Sequence, residues 1–227
     1  MTTKGRYCVV IPAFNASATI RPLVHAIKGQ GLDAMVIDDG SHDQTAALAS
    51  SEGALVISHL RNVGKGRALR TGFEHALRAQ YDGVITMDSD GQHDPSDIPQ
   101  LIQEGERQHA GITLGNRLTS EGSMPVVRRF TNRLMSLIVS TLARQRIPDS
   151  QCGFRFIRKE VLSDVPLRSR CFEIETELLC RAAVRRWKII SVPIRTIYAQ
   201  DQPSYIRPIR DALRFLSVVL RHALGRS

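Results

Sequence analysis

The sequence predicts an α/β protein whose mostly parallel sheet is flanked by helices, in the Rossmann manner. Three observations predict it. Short apolar runs alternate with helix-length segments through the first 116 residues, the βαβα rhythm of a parallel sheet covered on both faces. Polar clusters follow the runs at Asn15, Asp38-Asp39, Arg61-Asn62 and Asp88-Ser89-Asp90, at the carboxyl ends of strands where open α/β sheets bind ligands. No internal repeat or low-complexity linker marks a second independent domain.

The predicted strands are Tyr7–Pro12, Ala34–Ile37, Ala54–Ile57, Gly83–Met87 and Gly111–Leu114. The helices between them are Ser17–Lys28, Asp43–Ser51, Gly64–Ala79 and Pro95–Gln108, with Ser17, Ser41 and Asp94-Pro95 as start signals. Val126–Arg144 predicts a helix whose apolar stripe, Phe130, Leu134, Leu137, Ile138, Thr141 and Leu142, faces a core. Arg129, Arg133, Ser136 and Ser140 form its other side. Cys171–Arg186 reads as a further helix, and Lys188–Tyr198 as two short strands around Pro193. Residues 1–206 are expected to form one domain. Residues 207–227 are expected to add a C-terminal helix, apolar except for a stripe of Arg207, Arg210, Arg214 and Arg221. That helix suits a core or homodimer contact, or an interfacial contact with anionic lipid.

Composition narrows the partners. With 31 basic against 22 acidic residues the net charge is +9, a surface that attracts phosphates. Aromatic residues are only 5%, too few stacking platforms for a single-strand nucleic-acid binder, so no nucleic-acid partner is expected. Cys8, Cys152, Cys171 and Cys180 show no zinc-like spacing and read as thiols of a reducing cytosol. No apolar run approaches the about 20 residues needed to span a bilayer, and no secretory h-region follows the start. The expected location is cytoplasmic, with peripheral membrane contact through the C-terminal helix as one reading.

Asp88-Ser89-Asp90 is the strongest local feature. On an extended segment, residues i and i+2 point the same way, so both carboxylates can reach one hard cation, with Gln92 or His93 adding a ligand. A divalent ion there would stabilise a departing nucleoside diphosphate as a Lewis acid. An EF-hand is excluded, since Gly91 stands at loop position 4 and Pro99 at position 12. Asp38 and Asp39 offer carboxylates to a base imide or a ribose hydroxyl. Asn62-Val63-Gly64-Lys65-Gly66 opens a helix as an anion-binding nest, with Lys65 near phosphates, but lacks P-loop spacing. No GxSxG supports nucleophilic catalysis.

In order and spacing, four segments resemble glycosyltransferase family 2. They are Val9-Val10-Ile11-Pro12-Ala13-Phe14-Asn15, Val36-Ile37-Asp38-Asp39-Gly40-Ser41, Arg61-Asn62-Val63-Gly64-Lys65-Gly66 and Met87-Asp88-Ser89-Asp90-Gly91-Gln92-His93. Later segments resemble its dolichol-phosphate mannosyltransferase-like, polyprenyl-phosphate branch: Gly115-Asn116-Arg117, Arg128-Arg129 with Asn132, Asp149 to Arg155, Phe172 to Glu177, Val192 to Tyr198, and Ser204.

The resemblance implies a GT-A nucleotide-sugar-binding fold and inverting transfer of a sugar from a GDP- or UDP-sugar to a polyprenyl or dolichyl phosphate. It also implies roles for residues. Pro12, Phe14, Asn15, Asp38 and Asp39 would line the nucleoside pocket. Lys65, Ser89, Arg195 and Ser204 would complete the donor site. Asp88, Asp90 and Gln92 would hold Mg²⁺ or Mn²⁺. Arg117, Arg128, Arg129 and Asn132 would receive the acceptor phosphate. Asp90, Arg117 and Asp149 are the expected catalytic residues. The family's Glu after the Asn of the first segment is Ala16 here.

A hydroxyl acceptor (a sugar, glycan or other small molecule) is the alternative. It would need a general base, with Asp149 and Glu173 as candidates. A nucleotidyltransferase is disfavoured because Phe14-Asn15-Ala16-Ser17 is not a glycine-rich basic loop.

Overall fold

The computed structural model describes residues 5–119, 126–169, 171–195 and 197. Ser204 and the predicted helix after Arg207 lie outside the described residues, as do Thr196 and Tyr198. In chain order the elements are β1 (Tyr7–Ala13), α1 (Ile20–Lys28), β2 (Asp33–Asp38), α2 (Thr45–Ser51), β3 (Leu55–Ser58), α3 (Lys65–Arg78) and β4 (Gly83–Thr86). There follow α4 (Ile98–Arg107), β5 (Ile112–Asn116), α5 (Val126–Ala143), β6 (Arg155–Arg158), α6 (Lys159–Asp164), α7 (Ile174–Val184) and β7 (Ile189–Pro193).

The seven strands form one sheet in the order β3-β2-β1-β4-β6-β5-β7. β1 pairs in parallel with β2 and β4, and β2 with β3. β6 runs antiparallel to both β4 and β5, and β7 pairs in parallel with β5. Two antiparallel steps therefore return β5 and β7 to the direction of β1–β4. One edge of the sheet collects the carboxyl ends of six strands and the amino end of β6.

Alternation along β1 divides the core. Val10, with Met35 and Ile37, faces a layer holding Leu69, Phe73, Val139, Leu178 and Leu179. Val9 and Ile11 face another holding Ile20, Val24, Ile27, Ile98 and Leu101. Gly72 lets α3 approach the sheet, because a Cβ there would lie 2.3 Å from Val10 Cγ1. Both layers are apolar, as strands buried on two faces require.

The structure corrects four expectations. α1 begins at Ile20 because the Ser17 N–H donates to Asp43 and the Ala16 N–H to Thr45, which holds residues 16–19 in a turn. Of the two strands expected in Lys188–Tyr198, the described residues form one, Ile189–Pro193, since beyond Pro193 the Arg195 N–H donates to Asp97 and leaves the ladder. The strand Arg155–Arg158 and the helix Lys159–Asp164 join the fold unpredicted.

The fourth correction concerns α5, where Phe130, Leu134 and Leu137 are 69%, 49% and 64% exposed. Only Ile138 and Leu142 of the predicted stripe pack on the core. Ser136 and Ser140 turn inward instead. Ser136 Oγ accepts from the Ser150 N–H, while Ser140 Oγ accepts from the Ile147 N–H and donates to its carbonyl. Satisfying the buried connection after α5 decides the helix's rotation.

Candidate active site

The loops at the carboxyl edge are joined by hydrogen bonds. Asn15, in the left-handed region at φ 49°, donates its N–H to Ser41 Oγ and accepts from the His42 N–H at Oδ1. The Phe14 ring lies edge-on to His42, centroids 6.3 Å apart. Gly40, at φ +73°, meets Arg61 so closely that a Cβ would lie 2.5 Å from its carbonyl carbon. Asp39 lies beneath, 3% exposed, and accepts from the Val63 and Gly64 N–H groups with His59 Nδ1 at 2.7 Å. Its carboxylate is thus committed to shaping the nest before α3. Asp38 accepts from the Ser41 N–H and is also buried. Phe14 and Asn15 are the more exposed of the nucleoside-pocket candidates; Pro12 is buried.

Asp43 closes this assembly, accepting from the Ser17 N–H and from Thr45. Slight burial works against its charge, but the Thr45 and Ser17 hydrogen bonds hold its carboxyl down from 3.8 to about 2. A depressed folded pKa contributes stability that is present above the unfolded pKa and lost as pH falls through the folded one. Asp43→Asn is therefore expected to cost about 1 kcal/mol at pH 7, a cap-like loss discounted for exposure, and clearly less near pH 2, where the carboxyl is half protonated. Urea melts at the two pH values check this.

Beyond β4, the DxD pair sits where the parallel half meets the antiparallel strand. Thr86 Oγ1 donates to the Gly153 carbonyl, and Gly153 has no room for a side chain, since a Cβ would lie 2.6 Å from Asp88 Oδ2. Lys65, the first residue of α3, places Nζ 2.6 Å from Asp88 Oδ1 and 2.7 Å from Glu175 Oε1. Burial opposes the charge of Asp88, but Lys65 brings its carboxyl down to about 2. Burial, then the charge of Asp88, raises Asp90. Asp90 Oδ1 accepts from the Gln92 N–H, and the Ser89 carbonyl accepts from Thr19 Oγ1. His93 is buried and stacked on Phe154, and burial drives its imidazole down to about 4, so it is neutral at pH 7.

The residues fit a shared cation site and not an all-protein cage. Among the described residues no group of three or more His, Cys, Asp and Glu side chains converges. Asp88 and Asp90 supply hard oxygen donors close enough to feel one another's charge. One or two carboxylates, with substrate phosphate and water completing the shell, is the pattern Mg²⁺ accepts.

Arg117 follows β5 on the same edge. It is 9% exposed, and its Nε and a terminal nitrogen donate to the two oxygens of Asp149 at 2.8 and 3.0 Å. Asp149 is fully buried. That bidentate pair fixes Arg117 and leaves Asp149 no surface from which to take a substrate proton. Arg129 is partly exposed and Asn132 buried on α5; the Arg128 side chain lies outside the described residues. Arg195 bonds to Ser96 and Asp97 and lies 3.5 Å from Asp94, while the Ile197 N–H donates to the Gln92 carbonyl. The segment after β7 is thereby tied to the metal-candidate loop.

Two acidic residues of the Phe172–Glu177 motif gain defined places. Glu175 reaches Lys65. Glu177 accepts from the Arg168 and Ser169 N–H groups and pairs with Arg181. Burial opposes its charge, yet these bonds hold its carboxyl below the ordinary range.

Known proteins share this fold. The chain matches glycosyl transferase family 2 over residues 8–165. It is 29% identical over 215 residues to the UDP-N-acetylglucosamine–dolichyl-phosphate N-acetylglucosaminyltransferase of Methanococcus voltae, covering 85% of this chain and 86% of that one. It is 28% identical over 205 residues to the polyprenol monophosphomannose synthase of Mycolicibacterium smegmatis, covering 83% and 76%. Its fold resembles that of Mycobacterium tuberculosis glucosyl-3-phosphoglycerate synthase in complex with Mn²⁺, UDP and phosphoglyceric acid. The TM-score is 0.74 at 23% identity, over 98% of this chain and 78% of that one. The chain belongs to glycosyl transferase family 2, carries a GT-A fold, and counts polyprenyl-phosphate transferases among its relatives.

Proposed function

We propose that the protein transfers a sugar, with inversion, from a UDP- or GDP-sugar to a polyprenyl phosphate. The observation that carries this reading is α5. Its exposed Phe130, Leu134 and Leu137 lie on the helix that also bears Arg129 and Asn132, so one element offers an apolar stripe beside phosphate-binding candidates. A prenyl chain with a phosphate head has that same two-part chemistry. The names of the Methanococcus and Mycolicibacterium relatives support it.

Phe14 and Asn15 would flank the nucleoside, with Asp38 beneath. Lys65 and Arg195 would offset diphosphate charge as the bond to the anomeric carbon breaks. Asp88, Asp90 and Gln92 would hold Mg²⁺ or Mn²⁺, which when bound supplies Lewis-acid stabilisation of the leaving diphosphate. The acceptor phosphate, with a second pKa of about 6, is already ionised at neutral pH and attacks in line without a general base. Arg117, braced by Asp149, and Arg129 would orient it. Among the described residues no helix is long and apolar enough to cross a membrane. Peripheral contact at a cytoplasmic membrane face is part of the proposal.

A hydroxyl acceptor remains the second reading because Glu173 Oε2 is buried with no hydrogen-bond partner among the described residues. A general base would be such a carboxylate. Purified protein with Mn²⁺, labelled UDP- and GDP-sugars and undecaprenyl or dolichyl phosphate separates the two. Label entering the organic phase, with Glu173→Gln retaining the rate, supports the phosphate acceptor. Release of nucleoside diphosphate only with a hydroxyl acceptor, abolished by Glu173→Gln, supports the second reading.

A further inference from the structure

We propose that Glu175 is a positioning residue that governs how strongly Lys65 competes with a divalent cation for Asp88. The inference rests on the reading that Asp88 and Asp90 hold that cation. Lys65 Nζ stands between carboxylates from separate parts of the chain: Asp88 after β4 at 2.6 Å and Glu175 in the first turn of α7 at 2.7 Å. Its side chain is only 14% exposed, so these two oxygens take over much of the work of water around the ammonium. The Phe172 ring, 5.5 Å away, covers the same group.

Lys65 occupies one of the two oxygens that Asp88 has to offer a cation. A hard ion binds carboxylate oxygen at about 2.1 Å, so ion and ammonium on one carboxylate stand only a few ångströms apart and repel. Glu175 resolves this conflict. It lets the ammonium lean away from Asp88 while staying beside the site, where it meets diphosphate charge. Three carboxylates and one ammonium leave a net charge of −2, the complement of one divalent ion.

Glu175 does not act as a third ligand, because no cluster of three such side chains exists among the described residues. Nor does its place at the start of α7, favourable for any acid, require a contact with Lys65. Arg155 fixes that turn by donating to the Glu175 carbonyl at 2.8 Å, which leaves the carboxylate aimed at Lys65.

Mn²⁺ binding tests the proposal without turnover, by loss of the free-ion electron paramagnetic resonance signal on titrating the full chain. Lys65→Met should tighten Mn²⁺ binding, since it removes the competitor. Glu175→Gln should weaken it about tenfold in the native background and no more than about twofold in Lys65→Met. An equal loss in both backgrounds would show that Glu175 acts on the ion directly and would overturn the proposal, as would weaker binding by Lys65→Met. A melting temperature lowered by Glu175→Gln with unchanged Mn²⁺ affinity would reduce Glu175 to a helix-end acid. If Glu175→Gln fails to fold, Glu175→Asp, which keeps the charge but withdraws it, carries the same comparison. Wild-type protein that binds no Mn²⁺, with or without UDP or GDP, would overturn the metal reading itself, a result distinct from the others.

Discussion

Asp90→Ala is expected to lower sugar transfer by about 10³-fold or more, the scale of losing a main stabiliser of leaving-group charge. The loss should appear in kcat, because charge on the departing diphosphate grows toward the transition state. The fold should survive. Among the described residues Asp90 accepts only from the Gln92 N–H, and its removal relieves both its burial as a charge and its repulsion with Asp88, which together raise its carboxyl. Asp88 is different, since Lys65 depends on it. Kinetics at saturating Mn²⁺, with a thermal melt of the same sample, check this. A rate within tenfold of wild type would mean that the pair is a solvated turn.

Arg155→Met is expected to have the largest effect on stability. Arg155 is 1% exposed, and its Nε and terminal nitrogens donate to the carbonyls of Cys152, Glu175 and Ser150 at 2.7, 2.8 and 2.9 Å. Methionine fills much of the volume but leaves the Cys152 and Ser150 carbonyls without a donor, while the Glu175 carbonyl keeps its helical partner within α7. At about 1–3 kcal/mol for each of these two buried groups, the loss is about 2–6 kcal/mol. In a chain of this size that lowers Tm by about 4–24 °C. Calorimetry measures it, and a shift below about 3 °C would mean that water replaces the guanidinium. The same residue holds the Ser150–Gly153 loop behind Asp88 and the turn that bears Glu175, so transfer should fall with stability.

Much of the Rossmann half was legible because its signals are local. β1 to β5 and α3 keep their predicted places within a few residues, since each apolar run is bounded by glycine, proline or polar residues. Asp94 also caps as expected, accepting from the Ser96 N–H. The failures share a cause: the deciding contact lies outside the element itself. β6 is a four-residue strand that opens on a buried arginine, and only pairing with β4 and β5 makes it a strand. The rotation of α5 follows from backbone groups at Ile147 and Ser150 that only the folded chain brings to Ser136 and Ser140. In the site, the Asp88-Ser89-Asp90 pattern was readable, whereas the link between Lys65 and Glu175 spans 110 residues and has no local mark. The pairing of Arg117 with Asp149 was hidden in the same way and turns a candidate base into a brace.

The most direct test compares three acceptors at equal concentration, with one labelled donor and Mn²⁺: undecaprenyl phosphate, undecaprenol, and a small water-soluble phosphorylated hydroxy acid. Label is expected to enter undecaprenyl phosphate alone, with inverted anomeric configuration and dependence on Asp90. Transfer to undecaprenol, or to the water-soluble acceptor in preference to the lipid phosphate, would contradict the account and make a hydroxyl oxygen the nucleophile.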